Sequence, residues 1–390
     1  MTTRIKVLFS LVVVIALAST VFLFSPEKKV ETSSEYFDDM KLCQLPTNLK
    51  NTEHLGFPRP EKVIKTTGSL KSLVILVDFK DLPYSEKSLL EWQNQQIPTF
   101  ERFTKQMSYG KLDFKVDIHP KVIHINKSVL TYKLDISHFS PEEKKRNADF
   151  MSLINDAVRL ADSEVDFSQY EFFNIVAPPT DNIGISGTTG PFGMKLDNKI
   201  LNYATFGSIN EYYGDTNKNI WFLHEAGHTM GLSHPYAYYQ MWGAMGSGDT
   251  NAPEFLGWER FLLSWFDQSN VLCIANHKID SYNVKVAPLY KSDSEPKMLV
   301  YKLDESSAIV IENRSEKELG TVDSSQSGVL VYKVQTNIPS DFGAVSLLFG
   351  NVSRPSGTIK TGEFVSYQDL EIKVDDLTDD FASVSISKKQ

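Results

Sequence analysis

The chain has 390 residues, 41% of them hydrophobic and 23% charged, with a formal net charge of −9. That balance is ordinary for a globular protein and leaves room for two domains and a large core. The negative charge, with no basic or aromatic motif to offset it, argues against nucleic acid as a partner.

Arg4 and Lys6 precede an apolar run from Val7 to Phe24. Positive residues ahead of such a run mark a segment for export. Ala16-Leu17-Ala18 has the small residues of a cleavage site, while a run of about 18 residues also suits a membrane anchor. Residues 1–24 are therefore read as a signal peptide or membrane anchor, and an uncleaved segment would be the chain's contact with a membrane. The expected location is secreted or periplasmic, or membrane-anchored with the folded part outside the cytoplasm.

Residues 25–68 are polar and carry Pro46, Pro58 and Pro60, which predicts an extended strap or short pro-segment. Cys43 lies here, and the second cysteine is Cys273. In an exported chain the favoured reading is a disulfide between them. Two free thiols remain an alternative, as does a Cys43 thiolate that occupies a metal in a latent precursor.

Residues 69–275 are read as one catalytic region. The apolar run Leu73–Phe79 predicts a buried strand, and Pro98 opens a helix that reaches about Gln106 before the exit turn Ser108-Tyr109-Gly110. Strands follow at Leu112–Ile118 and Val122–Ile125. Ser140-Pro141-Glu142-Glu143 combines an N-cap, a first-turn proline and a capping box. Phe150, Leu153, Ile154, Ala157, Val158 and Ala161 then recur at helical spacing. Glu171–Ala177 is a strand closed by Pro178-Pro179. Residues 180–217, rich in Gly, Thr, Asn and Asp, read as the rim of a cleft, with Lys199–Phe206 as a candidate edge strand or else an ordinary surface loop.

The segment His224-Glu225-Ala226-Gly227-His228-Thr229-Met230-Gly231-Leu232-Ser233-His234 fits H-E-x-x-H-x-x-G-x-x-H at every fixed position. Histidines at i and i+4 lie on one helical face, so both imidazoles reach one metal ion. Glu225 stands beside the first ligand, where it can take a proton from a water activated by the metal. The helix is expected from about Asn219 to Leu232. Gly231 ends it in a left-handed conformation, and the chain turns back to present His234 as third ligand. Gly227, costly inside a helix, implies close packing near the metal. The spacing implies one catalytic Zn²⁺. Calcium is compatible with acidic positions such as Asp215 or Asp249, although no loop motif specifies it.

Downstream, Gln240-Met241-Trp242-Gly243-Ala244-Met245-Gly246-Ser247-Gly248 is a glycine-rich turn centred on a methionine. After an extended zinc motif it resembles the Met-turn of the metzincins, with Met245 as the preferred floor residue and Met241 second. The chain as a whole resembles the metzincin zinc metalloproteases, and most closely the immune inhibitor A-like family of secreted bacterial metalloproteases. Leu73–Phe79, Ser108–Leu112, Val165–Tyr170, Gly257-Trp258, Ile309–Arg314 and Ser327–Tyr332 are also similar to segments of that group. Members often carry aspartate at the third ligand position, where this chain has His234, and no tyrosine directly follows Met245.

The resemblance implies an α+β fold: a metzincin-like catalytic domain with a twisted mixed sheet, active-site helix and Met-turn, followed by a β-sandwich-like domain over residues 276–390. Short alternating or β-branched runs at Lys297–Leu303, Ala308–Glu312, Gly328–Val334, Val345–Phe349 and Ala382–Ser387 agree with the second part. The activity it implies is zinc-dependent endopeptidase action on a protein or peptide substrate. Two other functions remain open: a non-catalytic zinc-containing binding or adhesion protein, and a zinc hydrolase of non-peptide amides.

Overall fold

The computed structural model describes residues 36–50, 53–84, 86–134, 143–178, 187–208, 220–237, 242–246, 254–278, 280–318 and 323–389. The segment read as signal or anchor lies outside these residues, as do Asp215, Met241 and Asp249. Among the described residues no helix is long and apolar enough to cross a membrane.

The first sheet contains β1 (Gly68–Phe79), β2 (Leu112–Ile118), β3 (Ile123–Ile125), β4 (Phe172–Ala177), β5 (Gly187–Leu196) and β6 (Lys199–Ser208). Its order is β2-β1-β4-β6-β5, with β3 pairing on the later part of β1. All pairs are parallel except β5 with β6. The apolar run in β1 follows from cover on both faces. Leu70, Val74 and Leu76 join one core, while Leu73, Ile75, Val77 and Phe79 join another.

Three longer helices and two of six residues accompany this sheet among the described residues. α1 (Glu86–Glu91) passes through a π-type turn at Trp92–Gln96 into α2 (Ile97–Met107). The widened turn falls just before Pro98, which has no N–H to give to the ladder. α2 thus keeps the expected bounds, with Pro98 in its first turn, and helical turns precede it where Trp92 buries its ring edge-on against Trp221 and Phe222. α3 (Glu143–Ala161) places Phe150, Leu153, Ile154, Ala157, Val158 and Ala161 on the opposite face of the sheet. α4 (Ile220–Thr229) shares a core with α2, and the six-residue α5 (Gly257–Leu262) follows.

One expectation needs correction. Lys199–Phe206 is not the sheet edge, because β6 is paired on both sides and β5 is the outermost strand. Gly187, Gly190 and Pro191 disguise β5 as loop, yet a tight turn at Asp197-Asn198, both at positive φ, folds it onto β6 as a hairpin.

Two further sheets complete the molecule. β7 (Val271–Ile274), β9 (Met298–Lys302), β10 (Ser307–Arg314), β11 (Gly328–Gln335) and β12 (Val345–Leu347) form one, in the order β12-β11-β10-β9-β7. β8 (Ser281–Val286), β13 (Phe364–Tyr367), β14 (Leu370–Leu377) and β15 (Ala382–Lys388) form the other, in the order β13-β14-β15-β8. Leu299, Ile309, Ile311 and Val331 meet Val284, Ile372, Val384 and Ile386 between the two, as in a sandwich. The opposite face of β10, with Ala308 and Val310, packs into the core that holds Trp258 and Phe261 of α5. β10 is consequently buried along its whole length.

The strap before β1 runs across these parts. Cys43 and Cys273 are joined by a disulfide, so Cys43 has no thiolate to offer a metal. Leu45, Leu55 and Ile64 are buried, and Trp258 Nε1 donates to the carbonyl of Leu55 at 2.7 Å.

Candidate metal centre

α4 is an apolar helix whose Phe222, Leu223, Ala226 and Met230 enter the core. That packing fixes its rotation and brings His224 and His228 to the same face, one turn apart. The helix ends at Thr229, and Gly231 adopts φ +90°, a conformation that strains any side-chain-bearing residue. A β-carbon there would also press on Val63 of the strap, 3.0 Å away. The reversal returns the chain so that His234 faces the helix.

The three Nε2 atoms converge. His224 and His234 are 3.0 Å apart, and His228 lies 3.1 Å from each. The far nitrogen of every ring meets an acceptor. His224 Nδ1 faces the carbonyl of Ala244 at 2.7 Å. His228 Nδ1 faces the carbonyl of Leu232 and Glu53 Oε2, each at 2.9 Å. His234 Nδ1 faces Asp341 Oδ1 at 2.8 Å. Carbonyls and carboxylates only accept, so each Nδ1 carries a proton, and a ring protonated there alone offers its Nε2 lone pair to the centre. Four-coordinate zinc with Zn–N bonds of about 2.0–2.1 Å needs nitrogens roughly 3.3 Å apart. The donor set fits a single ion, and this is the one such cluster among the described residues.

Electrostatics agree with a site for positive charge. Burial, helped by the neighbouring charge of His228, holds His224 well below its ordinary pKa. Burial and His228 also lower His234, against the pull of Asp341. Burial opposes protonation of His228 too, but Glu53 and Glu225 outweigh it and hold that ring at about 9. The two carboxylates therefore favour positive charge beside His228, where a bound cation would take the place of the ring's second proton. Glu225 is buried on the same helix, next in sequence to His224.

Met245 is fully buried in the turn that follows, one residue beyond the carbonyl that holds His224. A β-carbon at Gly227 would collide with its Sδ, so the glycine admits the methionine beneath the helix. The remaining described histidines are engaged elsewhere. His124 pairs with Asp78 at 2.6 Å, His119 faces the carbonyl of Lys121, His54 accepts from Gly56, and His277 packs on Tyr301.

Sequence reasoning missed Glu53 and Asp341. Glu53 lies in a polar stretch with no periodicity, and Asp341 lies in the turn-rich Pro339-Ser340-Asp341-Phe342-Gly343. Neither has a local pattern that ties it to a histidine far away in the chain.

No protein-family model and no curated protein matches the sequence. Among solved structures, metalloproteinase-II from Bacteroides fragilis shows a weak likeness, with 17% identity and a TM-score of 0.31. The match covers 55% of this chain and 59% of that one, so less than two thirds of its length is spanned. A likeness at this level carries no argument about activity. What the geometry itself defines is a three-histidine metal site beside a buried glutamate, consistent with the active site of a zinc-dependent hydrolase.

Proposed function

We propose that the protein is a zinc-dependent endopeptidase of the metzincin type, akin to the immune inhibitor A-like secreted metalloproteases. The observation that carries this reading is the convergence of three Nε2 lone pairs within 3.1 Å, with Glu225 next to the first ligand on the same helix. His224, His228 and His234 would hold the ion. A bound Zn²⁺ supplies polarisation of a peptide carbonyl and lowers the pKa of water from 15.7 to about 7. Glu225 takes one proton from the attacking water as the C–O bond forms. It returns that proton to the amine nitrogen as the C–N bond breaks. Met245 gives the ligands an apolar floor without donating to the ion. β5, the outermost strand of this sheet among the described residues, would receive an extended substrate along its outer edge, the usual mode of β-augmentation. The Cys43–Cys273 disulfide suits an oxidising compartment and supports export.

The test is cleavage of denatured proteins by wild type and Glu225→Gln, each with and without a zinc chelator. Chelator-sensitive cleavage that falls about 10²–10⁴-fold in the variant, with bound zinc unchanged, is the expected result. Full activity in Glu225→Gln would overturn the assignment.

A further inference from the structure

Two of the three histidines are held by carboxylates from outside the first sheet and its helices. Glu53 belongs to the strap, and its Oε2 lies 2.9 Å from His228 Nδ1. Asp341 belongs to the loop between β11 and β12, and its Oδ1 lies 2.8 Å from His234 Nδ1. That loop is fastened to the ligand segment along its backbone. Asp341 N–H donates to the carbonyl of His234 at 3.2 Å, His234 N–H donates to Ser340 Oγ at 3.1 Å, and Val345 N–H donates to the carbonyl of Pro235 at 2.7 Å. Asp341 adopts φ +67°, a conformation aspartate tolerates better than most residues. Strap and loop are also tied to each other. Thr47 Oγ1 donates to the carbonyl of Thr336, and Asn48 N–H donates to Asn337 Oδ1, both at 2.7 Å.

We propose that Glu53 and Asp341 are positioning residues of the metal centre, and that the strap and the C-terminal sheet are therefore working parts of it. This rests on the zinc reading above. Each carboxylate does two things that a carbonyl does only in part. It fixes the ring and its Nδ1 proton, so that Nε2 is presented as a lone pair. It also makes the imidazole a stronger donor and adds negative charge close to a dication. His228 already has the carbonyl of Leu232, so Glu53 adds mainly charge. Asp341 is the acceptor at His234 Nδ1, so it sets both charge and orientation. The strap thus supplies Glu53 from the side of the ring opposite Nε2.

The experiment measures zinc dissociation constants of the full chain by competition with a chromophoric chelator, for wild type, Glu53→Gln and Asp341→Asn. The thermal midpoint of each zinc-free form is recorded alongside. Each variant should bind zinc about 10–100-fold more weakly, in keeping with the loss of such partners elsewhere. The zinc-free midpoints should stay close to wild type, since the Asp341 side chain is 68% exposed and that of Glu53 32%. Asp341→Glu, which keeps the charge, should recover part of the affinity. Wild-type affinity in both amide variants would overturn the inference and leave the zinc reading standing. A wild-type chain that binds no zinc would overturn the zinc reading itself. A lowered midpoint with unaltered zinc affinity would assign the carboxylates to stability alone and equally overturn the inference.

Discussion

Two of the buried polar clusters among the described residues are built on opposite plans. Around α5 and β10, Glu254, Glu259, Arg260, Glu312, Arg314 and Glu318 are all buried. Arg314 pairs with Glu312 at 2.9 Å and Glu318 at 2.7 Å, and lies over the ring of Trp242 at 4.7 Å. Arg260 pairs with Glu254 and donates to Tyr109 Oη. Glu312 also accepts from Gly257 N–H and Tyr332 Oη, both at 2.7 Å. Its charges turn inward on one another. The histidine cluster does the reverse: every outer nitrogen is satisfied, and three lone pairs are left aimed at one point. Burial and ionisable groups are common to both, so neither distinguishes a site from a scaffold. The direction of the unspent valences does.

The comparison predicts different failures. Arg314→Met strands Glu312 and Glu318 without their cation, and breaking such a buried pair costs about 3–5 kcal/mol. Urea denaturation should show that loss, while the folded variant should bind zinc as wild type does. A stable Arg314→Met protein would mean that the seam is not what joins α5 to the sandwich.

A smaller effect is expected from pH. Burial, with the charge of Glu312, pushes Glu259 from 4.5 up to about 8, and burial does the same to Glu318. A carboxyl whose folded pKa is raised contributes stability that is complete below about 4.5 and is lost as pH rises through about 8. Asp38 acts in another window. Burial opposes its ionisation, but hydrogen bonds from Asn276 and Ala275 prevail and hold it at about 2, so its contribution is lost only in acid. Between pH 5 and 8 the thermal midpoint of wild type should therefore fall relative to that of Glu259→Gln, which lacks this contribution. Equal slopes for the two proteins would remove Glu259 from the account.

How much of this was legible in the sequence follows from the range of each interaction. His224, His228, Gly231 and His234 are spaced by helix periodicity and one reversal, so their convergence is a local consequence of the chain. The buried strand β1 and the apolar face of α3 were legible for the same reason. Strand β5 was not, because its glycines and proline read as loop and its strand character comes from pairing with β6. The helical turns ahead of α2 depend on Trp92 meeting Trp221 and Phe222, which no local pattern encodes. Glu53 and Asp341 reach the site only after the strap and two sheets have packed, and single carboxylates in polar turns announce nothing.

The most direct test is the metal content of the purified full-length chain, measured by mass spectrometry after dialysis against zinc and then metal-free buffer. Wild type should retain one zinc per chain, and His234→Ala, with one of three nitrogens gone, should retain far less while staying folded. Zinc absent from wild type, or retained equally by His234→Ala, would contradict a three-histidine metal centre.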